Sequence, residues 1–203
     1  VIEELKKQAN VLFAEPNYYM RASALIDDLS DIEDAEYSRQ WNLAMINAPA
    51  AWFTSSGEHL ELDGSQEVIS RTSVRVAVID TGINYGHADL DDNLDLVNAY
   101  DFVSDPNNDG DGVDGRDTDP SDPSADLHGT HVAGIIASEG NELGIRGVAY
   151  DTTILPLRVL GQDNEGTTSD IVSALLYAAG LDNDSGLILL DTVDIINFSL
   201  GNQ

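Results

Sequence analysis

The sequence contains no cysteine, which excludes disulfides, thiolate-bound zinc and a thiol nucleophile. With 203 residues, 42% of them apolar, the chain can build a core without disulfide staples, so the lack of thiols leaves an extracellular setting open. Positive charge is nearly as scarce. Lys and Arg number 9 against 37 Asp and Glu, a formal net charge of −28, and Lys6 and Lys7 are the only lysines. Such a surface repels phosphate backbones and anionic headgroups, which argues against nucleic acid and membrane as partners. No apolar run approaches the roughly 18 residues of a membrane span. The N-terminus, which begins at Val1, also lacks the basic and apolar regions of a signal peptide and reads as cut. Charge of one sign repels itself unless salt or bound cations screen it, which suits a saline or calcium-containing exterior.

What is present divides into three parts. Residues 1–22 read as a small unit, a helix from Val1 to about Asn10 and a strand over Val11-Leu12-Phe13-Ala14-Glu15, stopped by Pro16-Asn17. Residues 23–39 carry Asp27, Asp28, Asp31, Glu33, Asp34 and Glu36 with little apolar content, and read as a partly ordered acidic linker. Residues 40–203 hold the larger domain. A segment from Gln40 through Pro49 to Phe53 contains a short helix, with Pro49 suited to its first turn. Residues 54–72, rich in Ser, Gly and Glu, read as a surface excursion.

Val74-Arg75-Val76-Ala77-Val78-Ile79-Asp80-Thr81-Gly82 follows, apolar and β-branched enough for a strand buried on both faces. Further strands are expected over residues 96–103, 154–160 and 193–200. Between the last two, Thr167 to Ala179 opens with capping residues, carries a helical apolar stripe and ends at Gly180. Strand, helix, strand with buried strands predicts an α/β fold with a three-layer, doubly wound, mostly parallel sheet. Gln203 falls directly after a core strand, so the domain reads as truncated.

In parallel sheets functional groups collect at the carboxyl ends of strands, where Asp80 lies. Asp126-Leu127-His128-Gly129-Thr130-His131-Val132-Ala133-Gly134 begins a tightly packed helix, with His128 at its first turn. A carboxylate at a strand tip and a histidine at a helix start can form an Asp–His proton relay. Alternatively, Asp80 caps its own turn and His128 is a capping or packed histidine.

Three stretches carry a resemblance. Val78-Ile79-Asp80-Thr81-Gly82-Ile83, His128-Gly129-Thr130-His131-Val132-Ala133-Gly134 and Ile195-Ile196-Asn197-Phe198-Ser199-Leu200-Gly201 resemble, in order and spacing, three consecutive motifs of the subtilisin-like serine proteases, the subtilases. The resemblance extends over about residues 37–203, including Gln40-Trp41-Asn42-Leu43 and Ile46-Asn47-Ala48-Pro49-Ala50, similar to the mature N-terminal segment. Residues 1–22, with Phe13-Ala14-Glu15-Pro16-Asn17-Tyr18, resemble the end of the α+β inhibitory propeptide. Cleavage of that propeptide is expected between Met20 and Gln40.

The resemblance implies a secreted serine endopeptidase made as a zymogen, monomeric when complete, acting on extended polypeptides and inhibited by its own propeptide. Asp80 would orient His128 and His128 would be the general base, with His131 structural. No Gly-Thr-Ser-Met-Ala-like segment occurs in the chain, so the serine nucleophile is absent from these residues, and Ser199 lacks the surroundings of one. By the same resemblance, Leu160, Glu165 and Gly166 form one edge of the substrate groove and Ser199, Leu200 and Gly201 the other, each pairing with an extended peptide. Thr168 and Ile171 would border a distant apolar subsite, and Glu165 would favour basic residues.

The resemblance also implies a structural calcium ion held by Asp89, Glu139, Asn141, Leu143 and Ile145, an oxygen-rich set suited to that cation. The ligand expected near the mature N-terminus is not apparent. A second calcium signal is Asp105, Asn107, Asp109 and Asp111, alternate oxygen-bearing residues that match the first half of an EF-hand-like loop, although Arg116 stands where its Glu would be. A solvated acidic loop is the competing reading. Two other functions fit less of the sequence: an aspartic protease, from the Asp80-Thr81-Gly82 triplet, and a non-catalytic calcium-binding fragment or decayed protease.

Overall fold

The computed structural model describes residues 32–52, 55–62, 68–113 and 115–201. The helix and strand expected within 1–22, and most of the acidic linker, lie outside the described residues. The first described elements are a 3-10 helix at Tyr37–Arg39 and two short helices, α1 (Trp41–Met45) and α2 (Ala48–Trp52), with Pro49 buried in the first turn of α2. Where a surface excursion was expected, β1 (Glu58–Leu62) and β2 (Val68–Ser73) pair as an antiparallel hairpin. The sequence hides this hairpin because its strands are largely polar.

The domain is organised by β3 (Arg75–Asp80), β4 (Tyr100–Asp101), β5 (Thr153–Arg158) and β6 (Ile195–Phe198), a parallel sheet in the order β4-β5-β3-β6. Even-numbered residues of β3 and β5 (Val76, Val78, Ile154) face one core, with Ala133 and Ala137 of α3 (His128–Ala137). Odd-numbered residues (Ala77, Ile79, Leu155, Leu157) face the other, with Ala174, Tyr177 and Ala178 of α4 (Thr168–Ala178). Helices thus cover both faces, giving the three layers predicted. The run expected over 96–103 pairs only at Tyr100–Asp101, because Asp95 turns the preceding chain by accepting hydrogen bonds from Asn98 and Val97 is left 93% exposed.

Both helices are positioned by local chemistry. Thr167 caps α4 by accepting from the Asp170 amide at 3.1 Å, and Gly180, at φ +69°, ends it. Gly129, in the first turn of α3, approaches the strand ends so closely that a Cβ there would lie 2.3 Å from the Gly82 carbonyl. Only glycine permits that contact, and it brings His128 up to β3. Among the described residues no helix is long and apolar enough to cross a membrane.

Candidate active site

From β3 the chain runs to β4 and β5 on one side and then crosses to β6 on the other, so the crevice outside the carboxyl end of β3 is where a doubly wound sheet offers a site. Asp80 ends β3 there, fully buried. Its Oδ1 accepts from the Thr81 amide at 2.7 Å and from His128 Nδ1 at 2.8 Å. The turn-capping contact and the contact to the histidine therefore share one oxygen. The His128 side chain is 44% exposed. The hydrogen bond to Asp80 raises the His128 pKa above its usual 6.5, against some desolvation and with help from the charges of Asp126 and Asp122. Thr81 fixes the geometry, its hydroxyl donating to Asp122 at 2.6 Å and accepting from the Gly129 amide at 2.9 Å. His131, on the same helix, is exposed.

A cleft of about 470 Å³ opens over this pair. Its walls contain all six residues expected to bind substrate, Leu160, Glu165 and Gly166 on one side and Ser199, Leu200 and Gly201 on the other, with Thr168 and Ile171 beyond. Sequence reading missed three further lining residues, Thr81, Asp126 and Asn164, the last two joined by a 3.2 Å hydrogen bond. Asn164 carried a weak signal, since Asp163-Asn164-Glu165-Gly166 is turn-like and Asn164 adopts φ +60°. The Ser199 hydroxyl accepts from Asn197 at 3.0 Å.

The first expected calcium site is built around Asp89, 4% exposed, whose Oδ2 accepts from the Ile145 amide at 3.0 Å. The loop closes on it through Gly144, at φ +37°, where a Cβ would sit 2.3 Å from that oxygen. Glu139 donates its amide to the Asp89 carbonyl, and Asn141 binds the Ala88 carbonyl and the Glu139 carboxylate through Nδ2. The Leu143 amide donates to Asn141 Oδ1. Asp34, 5% exposed, lies near enough for its charge to raise the Asp89 pKa, after the larger effect of burial. Asp34 was read as part of a partly ordered acidic linker; it pairs with Arg146 at 2.5 Å, which stacks on Tyr150 at 4.5 Å. Asp34 Oδ1 and Asp89 Oδ1 are both buried without a partner. Two orphaned carboxylate oxygens beside a wrapped loop are a donor set that fits a hard cation.

At the second expected site Asp105 and Asn107 are exposed, while Asp109 and Asp111 meet a buried cation of the chain itself. Asp105 is exposed and accepts from the Asn107 amide and Nδ2 at 2.9 and 3.0 Å. Asp109 and Asp111 turn inward to Arg158, whose Nη1 also meets Asp101 at 2.5 Å, with Asp109 at 2.8 Å and Asp111 at 2.9 Å. The guanidinium is fully buried among these three carboxylates. Carboxylate oxygens of Asp101, Asp111 and Asp117 also lie within 4.8 Å of one another, and burial pushes Asp101 up to about 8. Arg116 binds Asp170 at 2.7 Å and the Phe102 carbonyl.

A parallel α/β domain with an oriented histidine at a strand-end cleft defines a hydrolase-type acid–base site, not the all-β architecture of an aspartic protease. Residues 71–203 match the model of the Subtilase family, and the chain belongs to that family. The "Thermophilic serine proteinase" of Bacillus sp. (strain AK1) is 36% identical over 99% of this chain and 40% of its own length. The "Minor extracellular protease Vpr" of Bacillus subtilis is 40% identical over 64% of this chain and 14% of its own. Among solved structures, a protease from Pseudoalteromonas arctica aligns with TM-score 0.70 and 34% identity, covering 85% of this chain and 51% of that one. The chain thus spans two fifths or less of the length of these two curated relatives.

Proposed function

We propose that residues 40–203 supply the base, its orienting carboxylate and the acyl-side groove of a serine endopeptidase. The observation that carries this reading is the 2.8 Å hydrogen bond between Asp80 and His128 at the foot of a cleft lined by both substrate edges. Asp80 holds the Nδ1–H tautomer, and His128 Nε2 takes the proton from a serine hydroxyl and returns it to the leaving amine. That serine belongs to a Gly-Thr-Ser segment outside these residues. An extended peptide pairs with the backbone on either side of the cleft.

Residues 1–22 act as the end of an inhibitory propeptide and 23–39 as the joint to it. The match of a serine proteinase over 99% of the chain supports this, and a relative named as an extracellular protease supports secretion. Asp34, Asp89 and the loop at 139–145 hold a calcium ion, which supplies fixed positive charge where two carboxylate oxygens lack partners. The test uses the protein from its natural gene with internally quenched peptides. An in-frame Gly-Thr-Ser segment past Gln203 and a loss of about 10⁴-fold in kcat for Asp80→Asn are expected. A stop codon after Gln203, or undiminished activity of Asp80→Asn, overturns the reading.

A further inference from the structure

We propose that Arg146 is a positioning residue for calcium, holding Asp34 by one carboxylate oxygen so that the other is kept for the ion. The proposal rests on the calcium reading of Asp34, Asp89 and the 139–145 loop, and adds to it a residue that is not itself a ligand. Asp34 lies before the first helices and Asp89 after β3, so no local structure brings them together. Each keeps one buried carboxylate oxygen without a partner. The second oxygen of each is fixed, Asp89 Oδ2 by the Ile145 amide at 3.0 Å and Asp34 Oδ2 by Arg146 Nε at 2.5 Å. Two carboxylates buried near one another repel, and burial of the charged forms needs a countercharge. Among the described residues the one salt bridge to either is that of Arg146.

Arg146 is itself held by several elements. Its guanidinium lies 4.5 Å from the Tyr150 ring and 5.8 Å from that of Trp52. The main chain of the 139–145 loop rests against it, since a Cβ on Gly140 would lie 2.7 Å from Nη2 and 2.9 Å from Cζ and Nη1. Its backbone is clamped by the Gln40 side chain, which accepts from the Arg146 amide at 2.8 Å and donates to the Arg146 carbonyl at 2.9 Å. The Glu36 amide donates to the Gly144 carbonyl at 2.7 Å. Residues 34–40 therefore dock on the loop through the chain's own atoms, and Asp34 is paired before any ion enters. A planar guanidinium can stack on aromatic rings while one N–H is aimed at a carboxylate, which an ammonium cannot do. Partners of this kind orient a ligand and set metal affinity. Repulsion between the guanidinium and a dication acts the other way, so the sign of the affinity change on removing Arg146 decides which effect wins.

The test uses the full-length protein from its natural gene, treated with a sulfonyl fluoride against self-digestion, stripped with EDTA and titrated with CaCl2 by calorimetry. The part of the titration that Asp89→Asn removes belongs to this site. For that part, Arg146→Met is expected to weaken binding about tenfold, the scale of losing an outer partner of a ligand. Arg146→Lys, which keeps the charge without the planar fork, should weaken it less. Hydrogen exchange should find the Glu36 and Arg146 amides protected in EDTA in the wild type and unprotected in Arg146→Met. A purely structural role would lower Tm equally in EDTA and in saturating calcium and leave the dissociation constant unchanged, and that result overturns the proposal. Tighter binding by Arg146→Met also overturns it, since the guanidinium would then compete with the ion. So does loss of wild-type amide protection in EDTA, which would mean that the ion docks the segment. If Arg146→Met does not fold, Arg146→Lys decides, and unchanged or tighter binding by it overturns the proposal. Each of these results leaves the calcium site standing. A wild-type titration with no part that depends on Asp89 defeats the calcium reading and this proposal together.

Discussion

Asp80 and Arg158 are register partners at the carboxyl ends of adjacent strands, and each is buried against groups of opposite charge, yet they serve opposite ends. Arg158 is a permanent cation enclosed by three carboxylates and the Leu160 and Asp109 carbonyls, with every side chain at 0–1% exposure. Asp80 has one charged partner, a histidine 44% exposed whose charge changes near neutrality, and one of its oxygens is left bare. A saturated, dry cluster holds structure; an undersaturated pair open on one side can move a proton. Asp34 and Asp89 form a third case: each keeps one buried carboxylate oxygen without a hydrogen-bond partner, and Asp34 pairs with Arg146 through its other oxygen.

The comparison is broken most severely at Arg158. Arg158→Met strands three buried carboxylates and is expected to cost about 3–5 kcal/mol of unfolding free energy in urea titration. Asp80→Asn keeps the acceptor for the Thr81 amide and should cost less than about 1 kcal/mol, while abolishing the proposed catalysis. Equal costs for the two would mean that Asp80 is held in the same structural way as the Arg158 cluster. Calcium sharpens the third case. At about a hundred times its dissociation constant the ion should add about 2.7 kcal/mol, read as a rise in Tm. Asp89→Asn should remove the rise and Asp111→Asn should not. The reverse pattern would place the ion in the Arg158 cluster.

These centres also mark what could be read from sequence. β3 was legible because an uninterrupted β-branched run has few alternatives to a strand covered on both faces, and α4 because Thr167 and Gly180 punctuate a helical stripe. Asp80 and His128 were legible because each sits at the end of such an element. Arg158 was not. It closes an apolar strand, and the carboxylates that bury it come from positions 47 to 57 residues away. Asp34 looks locally like its acidic neighbours, and only Arg146, 112 residues on, separates it from them. Alternating acids at 105–111 promised a common centre, but burial divided them between solvent and a guanidinium.

A smaller effect distinguishes the proton relay from a fixed ion pair. His128 should titrate above 6.5 by NMR, because protonation strengthens its hydrogen bond to Asp80. The sign follows from linkage. A histidine with a raised folded pKa contributes stability below its unfolded value, and that contribution is lost as pH rises through the folded one. The base is neutral only above the raised pKa, so activity should fall as pH drops through it. Asp80→Asn should move the titration down. An unmoved curve would mean that the hydrogen bond does not tune the base.

The smallest expected change is at Asp105. Its carboxylate caps a surface turn by accepting from both nitrogens of Asn107, which also lowers its pKa, and no other part of the chain hydrogen-bonds to it among the described residues. Asp105→Ala should therefore shift Tm by less than about 2 °C, with or without CaCl2. Asp111→Asn, on the same loop, removes one of the three carboxylates on Arg158 and should act through that cluster instead. If Asp105→Ala abolished the calcium response, the alternating residues would form an ion site after all, and Arg158 would not be the cation that organises the loop.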